Sequence, residues 1–439
     1  MLPPCTTSLL LLPLALLPLS SASAPYPDYC SHKSGSEFWD QPRVPPLSSS
    51  TVASLSPTLL SASAVIRHGA RTPWGGGFFC WDGYRQDASQ SVFDCDTSMV
   101  MTTAPTSASS YTGTSNLLFK KNYAGLADPE RNELGGTCHL GQLIEQGVEQ
   151  ETRNGEQLRA AYVCGDVEYD ADDSRCLFRD SDAFLAGEGG GGGIDRTEVY
   201  FRGDDQQRTL MSGQILTEAL FPTTEELSGS ENVLVDWMTG DYSRDPIYPN
   251  NKICPRMTEL QTNARASEDY LAYINSPEIV ELTAILTEDL GGADWTHALD
   301  CQMTAVCNDR PIPAAIDDFQ SDDDNSIFNR ITAHASWLHF AVYDYQDAEY
   351  AKIAMAPLLG NILKRSLLPS LTAATKADMK AQAAPLLALY SGHDTTVMPM
   401  LSALEMSAGD WAPYASLVTI ETYYVADDYG TSGRAFRVV

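Results

Sequence analysis

The sequence predicts an α/β fold, because three segments share one pattern: a short apolar strand, a charged turn, then a helix-like stretch. Ala62 to Ile66 runs into Arg67-His68-Gly69-Ala70-Arg71-Thr72-Pro73. Glu198 to Phe201 runs into Arg202-Gly203-Asp204-Asp205-Gln206-Gln207-Arg208, after which Thr209, Leu210, Met211, Ile215, Leu216 and Leu220 keep helical spacing. Leu386 to Tyr390 runs into Ser391-Gly392-His393-Asp394-Thr395-Thr396, followed by Val397, Met400, Leu401 and Leu404 at the same spacing. In an open α/β sheet the carboxyl ends of the strands share one crevice. Three distant stretches can therefore deliver three arginines, two histidines and an aspartate to one place.

The other elements follow in chain order. Leu9 to Leu19 is an almost unbroken apolar run before the small residues Ser20 to Ala24, the pattern of a secretory signal peptide over residues 1–24. Pro13 and Pro18 argue against a buried helix there. No other run approaches the roughly 18 apolar residues that span a bilayer, so no membrane span is expected. The stretches 41–63, rich in Pro and Ser, and 96–118, rich in Ser and Thr, read as surface segments. Leu140, Leu143, Ile144 and Val148 mark a helix that Asn154-Gly155 is expected to interrupt before Leu158, Ala161 and Tyr162 resume it. Gly187 to Gly193 and Ser321 to Ser326 read as loops, and no Gly-Lys-Ser/Thr follows the glycine tract to make it a phosphate cradle. The stretch 226–330 carries helical patches such as Glu278 to Leu290 and reads as a mostly helical insertion. Leu417 to Val425, Asp427-Asp428-Tyr429-Gly430 and Ala435 to Val439 close the chain as a hairpin.

Composition narrows the function. With 28 Lys+Arg against 58 Asp+Glu, a net charge of -30 excludes a nucleic-acid binder and at first argues against a phosphorylated substrate. An acidic shell should repel polyanions, and moderate salt is expected to relieve that repulsion more for polyanions than for singly charged partners. Of ten cysteines, Cys5 lies in the signal segment and nine remain, an odd number for an oxidising compartment where disulfides form. No Cys/His spacing matches a metal site, and His32, His139, His297, His334 and His339 read as structural or exposed. No N-glycosylation sequon is present.

The chemistry sits in the turns. Arg67-His68-Gly69-x-Arg71-x-Pro73 sets an imidazole between two guanidiniums, whose forks match phosphate oxygens. His68 there has two uses, as a donor to phosphate or as a nucleophile at phosphorus. Neighbouring positive charge lowers its pKa and keeps a neutral nucleophile available in acid. Asp394 can protonate a leaving oxygen. By themselves His393-Asp394 read first as a capping turn.

Arg67-His68-Gly69-Ala70-Arg71-Thr72-Pro73 together with Ser391-Gly392-His393-Asp394-Thr395-Thr396 resembles the histidine acid phosphatases, the acid phosphatase and phytase branch of the histidine phosphatase superfamily. The likeness extends, in the family's order, through Gly141-Gln142-Leu143-x-x-x-Gly147-x-x-Gln150, Arg208-Thr209-Leu210-Met211-Ser212, Leu220-Phe221-Pro222, Cys254-Pro255-Arg256 and Pro413-Tyr414-Ala415-Ser416. It implies a mixed-sheet α/β domain with helices on both faces and a smaller, mostly helical domain over the active site. Residues 25–58 would be an N-terminal extension and 59–439 the phosphatase domain. Its α/β core would fall at about 59–75, 138–225 and 331–439, under a helical cover at about 76–137 and 226–330.

Carried over by position, His68 would form a phosphohistidine, Arg67, Arg71, Arg208 and His393 would hold the phosphate, and Asp394 would be the proton donor. No metal or organic cofactor is implied. Three departures stand out. Arg202-Gly203-Asp204-Asp205 replaces the family's frequent Arg-Ser-Thr-Asp and puts an extra carboxylate, Asp204, near Arg208. Ile144 stands where Thr is common, and relatives usually continue beyond the position of Val439, so a shortened chain is expected and would account for the odd cysteine. Trp74, Phe78, Phe79 and Trp81 are candidates for a leaving-group pocket or for core packing. The expected activity is that of a secreted acid phosphatase acting on small-molecule phosphate monoesters. The alternatives are a phytase and a catalytically weak extracellular binding protein. A lysosome or vacuole lumen is the alternative location, and a homodimer is the one protein assembly considered.

Overall fold

Parallel pairing sets the three motif strands side by side. The computed structural model describes residues 30, 39, 41–74, 80–95, 101–103, 118–120, 134–165, 175–179, 196–222, 235–241, 243–288, 291, 295–317, 326–426 and 432–439. The expected signal peptide, most of 96–118, the glycine tract, the aspartates before Ser326, and Phe78, Phe79 and His32 lie outside the described residues.

Six strands form the main sheet: β1 (Thr58–Arg67), β2 (Val199–Asp204), β3 (Trp237–Gly240), β4 (Leu387–Gly392), β5 (Leu417–Ala426) and β6 (Ser432–Val438), in spatial order β6-β5-β1-β4-β2-β3. β1, β4, β2 and β3 are parallel, with Arg67 opposite Gly392 and Ser391 opposite Gly203. β5 runs antiparallel to β1, and β6 antiparallel to β5, which makes the sheet mixed and the closing segment a hairpin.

Helices cover both faces. On one side Ala62, Ala64, Ile66, Leu387, Leu389 and Phe201 pack with Leu158 of α1 (Glu145–Tyr162) and Leu216 and Leu220 of α2 (Gln207–Leu220). The residues between them, Val65, Ala388 and Tyr390, join the opposite core with α6 (Ile327–Tyr343), α7 (Tyr345–Ile362) and α8 (Asp394–Ala403). This alternation is the period of two expected of a strand buried on both faces. Fully burying such a side chain is worth roughly 1.5–3 kcal/mol, so the two-sided core decides the register and the charged turns follow from it. The stretch between β3 and α6 contributes α3 (Pro255–Arg265), α4 (Pro277–Glu288) and α5 (Trp295–Cys307).

Two expectations fail. The stretch 41–63 is not all surface, because Leu59 to Ser63 are buried within β1. Its serines look solvent-facing in sequence, but Ser61 Oγ bonds Thr422 Oγ1 at 2.7 Å and Ser63 Oγ bonds Ser366 Oγ at 3.0 Å. Nor does Asn154-Gly155 interrupt its helix: α1 starts at Glu145, after Leu140 and Leu143, and continues to Tyr162. A Cβ at Gly155 would lie 2.3 Å from the Leu216 carbonyl oxygen, so the glycine permits close approach of α1 to α2.

Disulfides join Cys30 to Cys307, Cys80 to Cys301, Cys95 to Cys138 and Cys164 to Cys176, leaving Cys254 as a free thiol. Two of these bridges hold α5. No helix among the described residues is long and apolar enough to cross a membrane.

Candidate active site

The ends of β1, β4 and β2 meet at a cavity of about 410 Å³. β1 ends at Arg67 and passes directly to His68. β4 ends at Gly392, His393 caps α8, and Asp394 is that helix's first residue. β2 ends at Asp204, and Arg208 lies in the first turn of α2. His68, Arg71, Arg208, His393 and Asp394 line the cavity, and Arg67 joins them through its ion pair with Asp394. All six residues singled out in the sequence are thus brought together.

The turn after His68 is seated on α1. A Cβ at Gly69 would fall 2.5 Å from the Gly147 carbonyl oxygen, so only glycine lets these backbones touch. Gly69 N–H donates to Ser212 Oγ at 3.1 Å and Ala70 N–H to Gln150 Oε1 at 2.7 Å. The second motif, Gly141 to Gln150, therefore supports the first. Ile144 is buried, in keeping with a packing role.

His68 is buried, and its Nδ1 lies 2.8 Å from the Gly69 carbonyl oxygen. A carbonyl can only accept, so Nδ1 carries the proton and Nε2 keeps its lone pair. Burial, then the charges of Arg208, Arg71, Arg67 and His393, hold the His68 pKa well below its ordinary value. The ring therefore stays neutral into acidic solution.

Each arginine is fixed differently. Arg67 Nη2 pairs with Asp394 Oδ2 at 2.9 Å, its Nη1 donates to the Ala412 carbonyl, and its guanidinium stacks 4.1 Å from the Tyr414 ring centre. Arg71 forms a fork with Asp300, Nη2 to Oδ1 at 2.7 Å and Nη1 to Oδ2 at 3.1 Å. Burial opposes the Arg71 charge, but Asp300 more than compensates and holds its pKa above the ordinary value. Arg208 lies over the Trp74 ring at 4.8 Å. Burial and then the Arg71 charge lower it to about 10, so it remains a cation wherever the site would work. The Nε atoms of all three arginines are buried without a hydrogen-bond partner among the described residues. Leftover buried donors of this kind suit an anion.

Two carboxylates complete the electrostatics. Asp204, placed near Arg208 by the sequence, lies within reach of that charge and pairs with His393: Oδ2 lies 3.0 Å from Nε2. Burial pushes its pKa up, but His393, Thr209 and Arg208 bring it below the ordinary carboxylate value. Asp394 shows the same balance, with burial outweighed by Arg67, Arg71 and His393, which favour its ionised form.

Sequence reasoning missed Asp300, which no local motif marks. His297 and His339, read there as structural or exposed, both line the cavity, together with Tyr248 and Trp411. Trp74 also lines it and is half exposed, whereas Trp81 is buried in the core. Among the described residues Cys80, His297 and Cys301 present ligand atoms within 4.8 Å of one another, but the two sulfurs are already joined in a disulfide.

Known proteins place this geometry in a family. The chain is 27% identical over 242 residues to human lysosomal acid phosphatase, covering 52% of each chain. It spans about half the length of that curated relative. It is 23% identical over 369 residues to Counting factor 60 of Dictyostelium discoideum, covering 83% of this chain and 76% of that protein. The apo phytase of Hafnia alvei superposes with a TM-score of 0.48 and 14% identity, covering 87% of this chain and 84% of the other. The family model for the histidine phosphatase superfamily, branch 2, matches residues 58–439, and the chain belongs to that family.

Proposed function

We propose that the protein is an acid phosphatase that hydrolyses small phosphate monoesters through a covalent intermediate on His68. The observation that carries this reading is the contact of His68 Nδ1 with the Gly69 carbonyl, which leaves Nε2 as the free nitrogen of a ring that lines the cavity with Arg71, Arg208 and His393. Nε2 attacks phosphorus, forming the N–P bond as the ester P–O bond breaks, and the leaving oxygen takes a proton from Asp394. Water then attacks phosphorus, Asp394 takes its proton, the N–P bond breaks, and inorganic phosphate leaves. The three guanidiniums and His393 neutralise the oxygens throughout.

Burial raises the Asp394 pKa, but Arg67, Arg71 and His393 hold it below the ordinary carboxylate value, so its proton must be supplied. A monoester whose second pKa is about 6 brings one when it binds as the monoanion. The bound phosphoryl group also takes up positive charge from Arg67 and Arg71, the two arginines that keep Asp394 ionised. This favours transfer of the proton to the carboxylate. Activity is therefore highest below about pH 6, where the substrate monoanion prevails and His68 is still neutral. An apolar leader and four disulfides support an oxidising compartment, outside the cell or in a lysosome-like lumen.

The test is release of phosphate from p-nitrophenyl phosphate, with alkaline denaturing quench of the wild type during turnover of phosphorus-labelled substrate. Phosphate label that is lost in acid but stable in alkali marks a phosphohistidine. His68→Ala should release no phosphate and trap no label, and full activity in that variant would overturn the reading.

A further inference from the structure

A second cavity, of about 590 Å³, opens beside the first and shares Tyr248, Thr296, His339 and Thr395 with it. Thr395 directly follows Asp394. On the phosphatase reading above, on which this inference rests, the leaving oxygen must face Asp394 to receive its proton. Thr395 and His339 line both cavities, so the second cavity offers room on that side for the rest of the leaving group.

The lining of that cavity is unlike the rest of the chain. The chain carries about two acidic residues for each basic one, yet among the described residues the lining contains Lys252 and Arg265 and no Asp or Glu. Neither cation has an ion pair among the described residues. The carboxamides nearby are ordered: Asn251 Nδ2 donates to Gln261 Oε1 at 3.1 Å, and Tyr350 Oη donates to Asn251 Oδ1 at 3.2 Å. Two cations on a hydrogen-bonded polar wall, with no carboxylate among the described residues that line it, form a site for negative charge.

We propose that this second cavity binds a second anionic group, a phosphate or a carboxylate, on the far end of the substrate's leaving group. Lys252 and Arg265 supply the charge, and the binding energy assists catalysis because it is remote from the reacting phosphorus. The overall charge of -30 would by itself make such substrates poor ones. The local pair reverses that order, and with it the salt dependence expected from the acidic shell.

Two matched pairs of monoesters test the idea: glucose 6-phosphate against 6-phosphogluconate, and fructose 6-phosphate against fructose 1,6-bisphosphate. At low salt the doubly anionic member of each pair should have the higher kcat/KM, by about fivefold, and the advantage should shrink at about 0.3 M salt. A gain in the first pair alone assigns the cavity to carboxylates, and in the second alone to phosphates. Lys252→Gln combined with Arg265→Gln should abolish the gain while leaving glucose 6-phosphate turnover within about twofold. Equal rates within both pairs in the wild type, or a gain that survives the double substitution, would overturn the proposal. No turnover of any of the four, with an unaltered melting temperature, would instead remove the phosphatase reading and the subsite with it.

Discussion

His393 Nε2 lies 3.0 Å from Asp204 Oδ2, both groups buried where β4 and β2 end side by side. The carboxylate thus fixes the imidazole orientation that the phosphate would meet. Asp204→Asn retains an oxygen acceptor but loses the charge, and Asp204→Leu loses both. A hydrogen bond to a charged group is worth roughly 1.5–3 kcal/mol, so kcat/KM should fall about tenfold for Asn and about a hundredfold for Leu. The depressed Asp204 pKa adds a stability effect. Its contribution is complete above the unfolded value near 3.8 and is lost as pH falls through the lower folded value. The difference in melting temperature between wild type and Asp204→Asn should therefore be constant above about pH 5 and narrow progressively as pH falls below about 4. Unchanged kinetics in both variants would leave Asp204 without a positioning role.

Arg71 is aimed by Asp300, whose two oxygens occupy both of its Nη atoms. Breaking one partner of a largely buried pair costs about 3–5 kcal/mol, some of it in stability. Asp300→Ala should lower the melting temperature and weaken inhibition by inorganic phosphate at least tenfold, about 1.4 kcal/mol. Asp300→Asn, which keeps one acceptor, should fall between. An Asp300→Ala enzyme that binds phosphate normally would show that Arg71 needs no such guide.

These two carboxylates mark what could and could not be read from sequence. The motif turns were legible because each places its chemistry within seven consecutive residues after an apolar strand, a local signal. Asp204 was noticed for the same reason, although its partner came from 189 positions away. Asp300 lies 229 positions from Arg71 on a helix whose pattern is that of packing, so nothing nearby announces it. The burial of Ser61 and Ser63 was hidden because a serine paired with another hydroxyl looks in sequence like one facing water. His297 and His339 carry no sequence signal because lining a cavity needs no spacing rule, unlike binding a metal.

Proton donation by Asp394 should depend on how much help the leaving group needs. General acid catalysis typically contributes about 10²–10⁴-fold. Asp394→Asn should therefore slow hydrolysis of an alkyl monoester such as glycerol 3-phosphate about a hundredfold or more. It should slow p-nitrophenyl phosphate, whose phenolate departs readily, by a much smaller factor. The variant also loses the 2.9 Å pair with Arg67, which would affect both substrates alike. Equal losses for the two would assign Asp394 to holding Arg67 and deny it the proton.

Glu151 supplies a pH dependence of stability that is separate from catalysis. It is fully buried on α1, and its Oε2 accepts from Asn154 Nδ2 at 2.9 Å. Arg43 Nη1 donates to Asn154 Oδ1 at 2.7 Å, and Arg43 and Asn154 both donate to the Ala415 carbonyl. Ala415 N–H in turn donates to the His68 carbonyl at 3.1 Å. Burial, opposed by Asn154 and Arg43, pushes the Glu151 pKa up to about 8. A raised folded value means that its stabilisation is complete below the unfolded value of 4.5 and is lost as pH rises through about 8. At about 1.4 kcal/mol per pKa unit the loss can reach on the order of 5 kcal/mol. Glu151→Gln, which cannot ionise, should melt near the wild-type temperature at about pH 4.5 and several degrees above it at about pH 8.5. Melting curves that stay parallel across that range would show that Glu151 is already ionised in acid, with Arg43 compensating its charge.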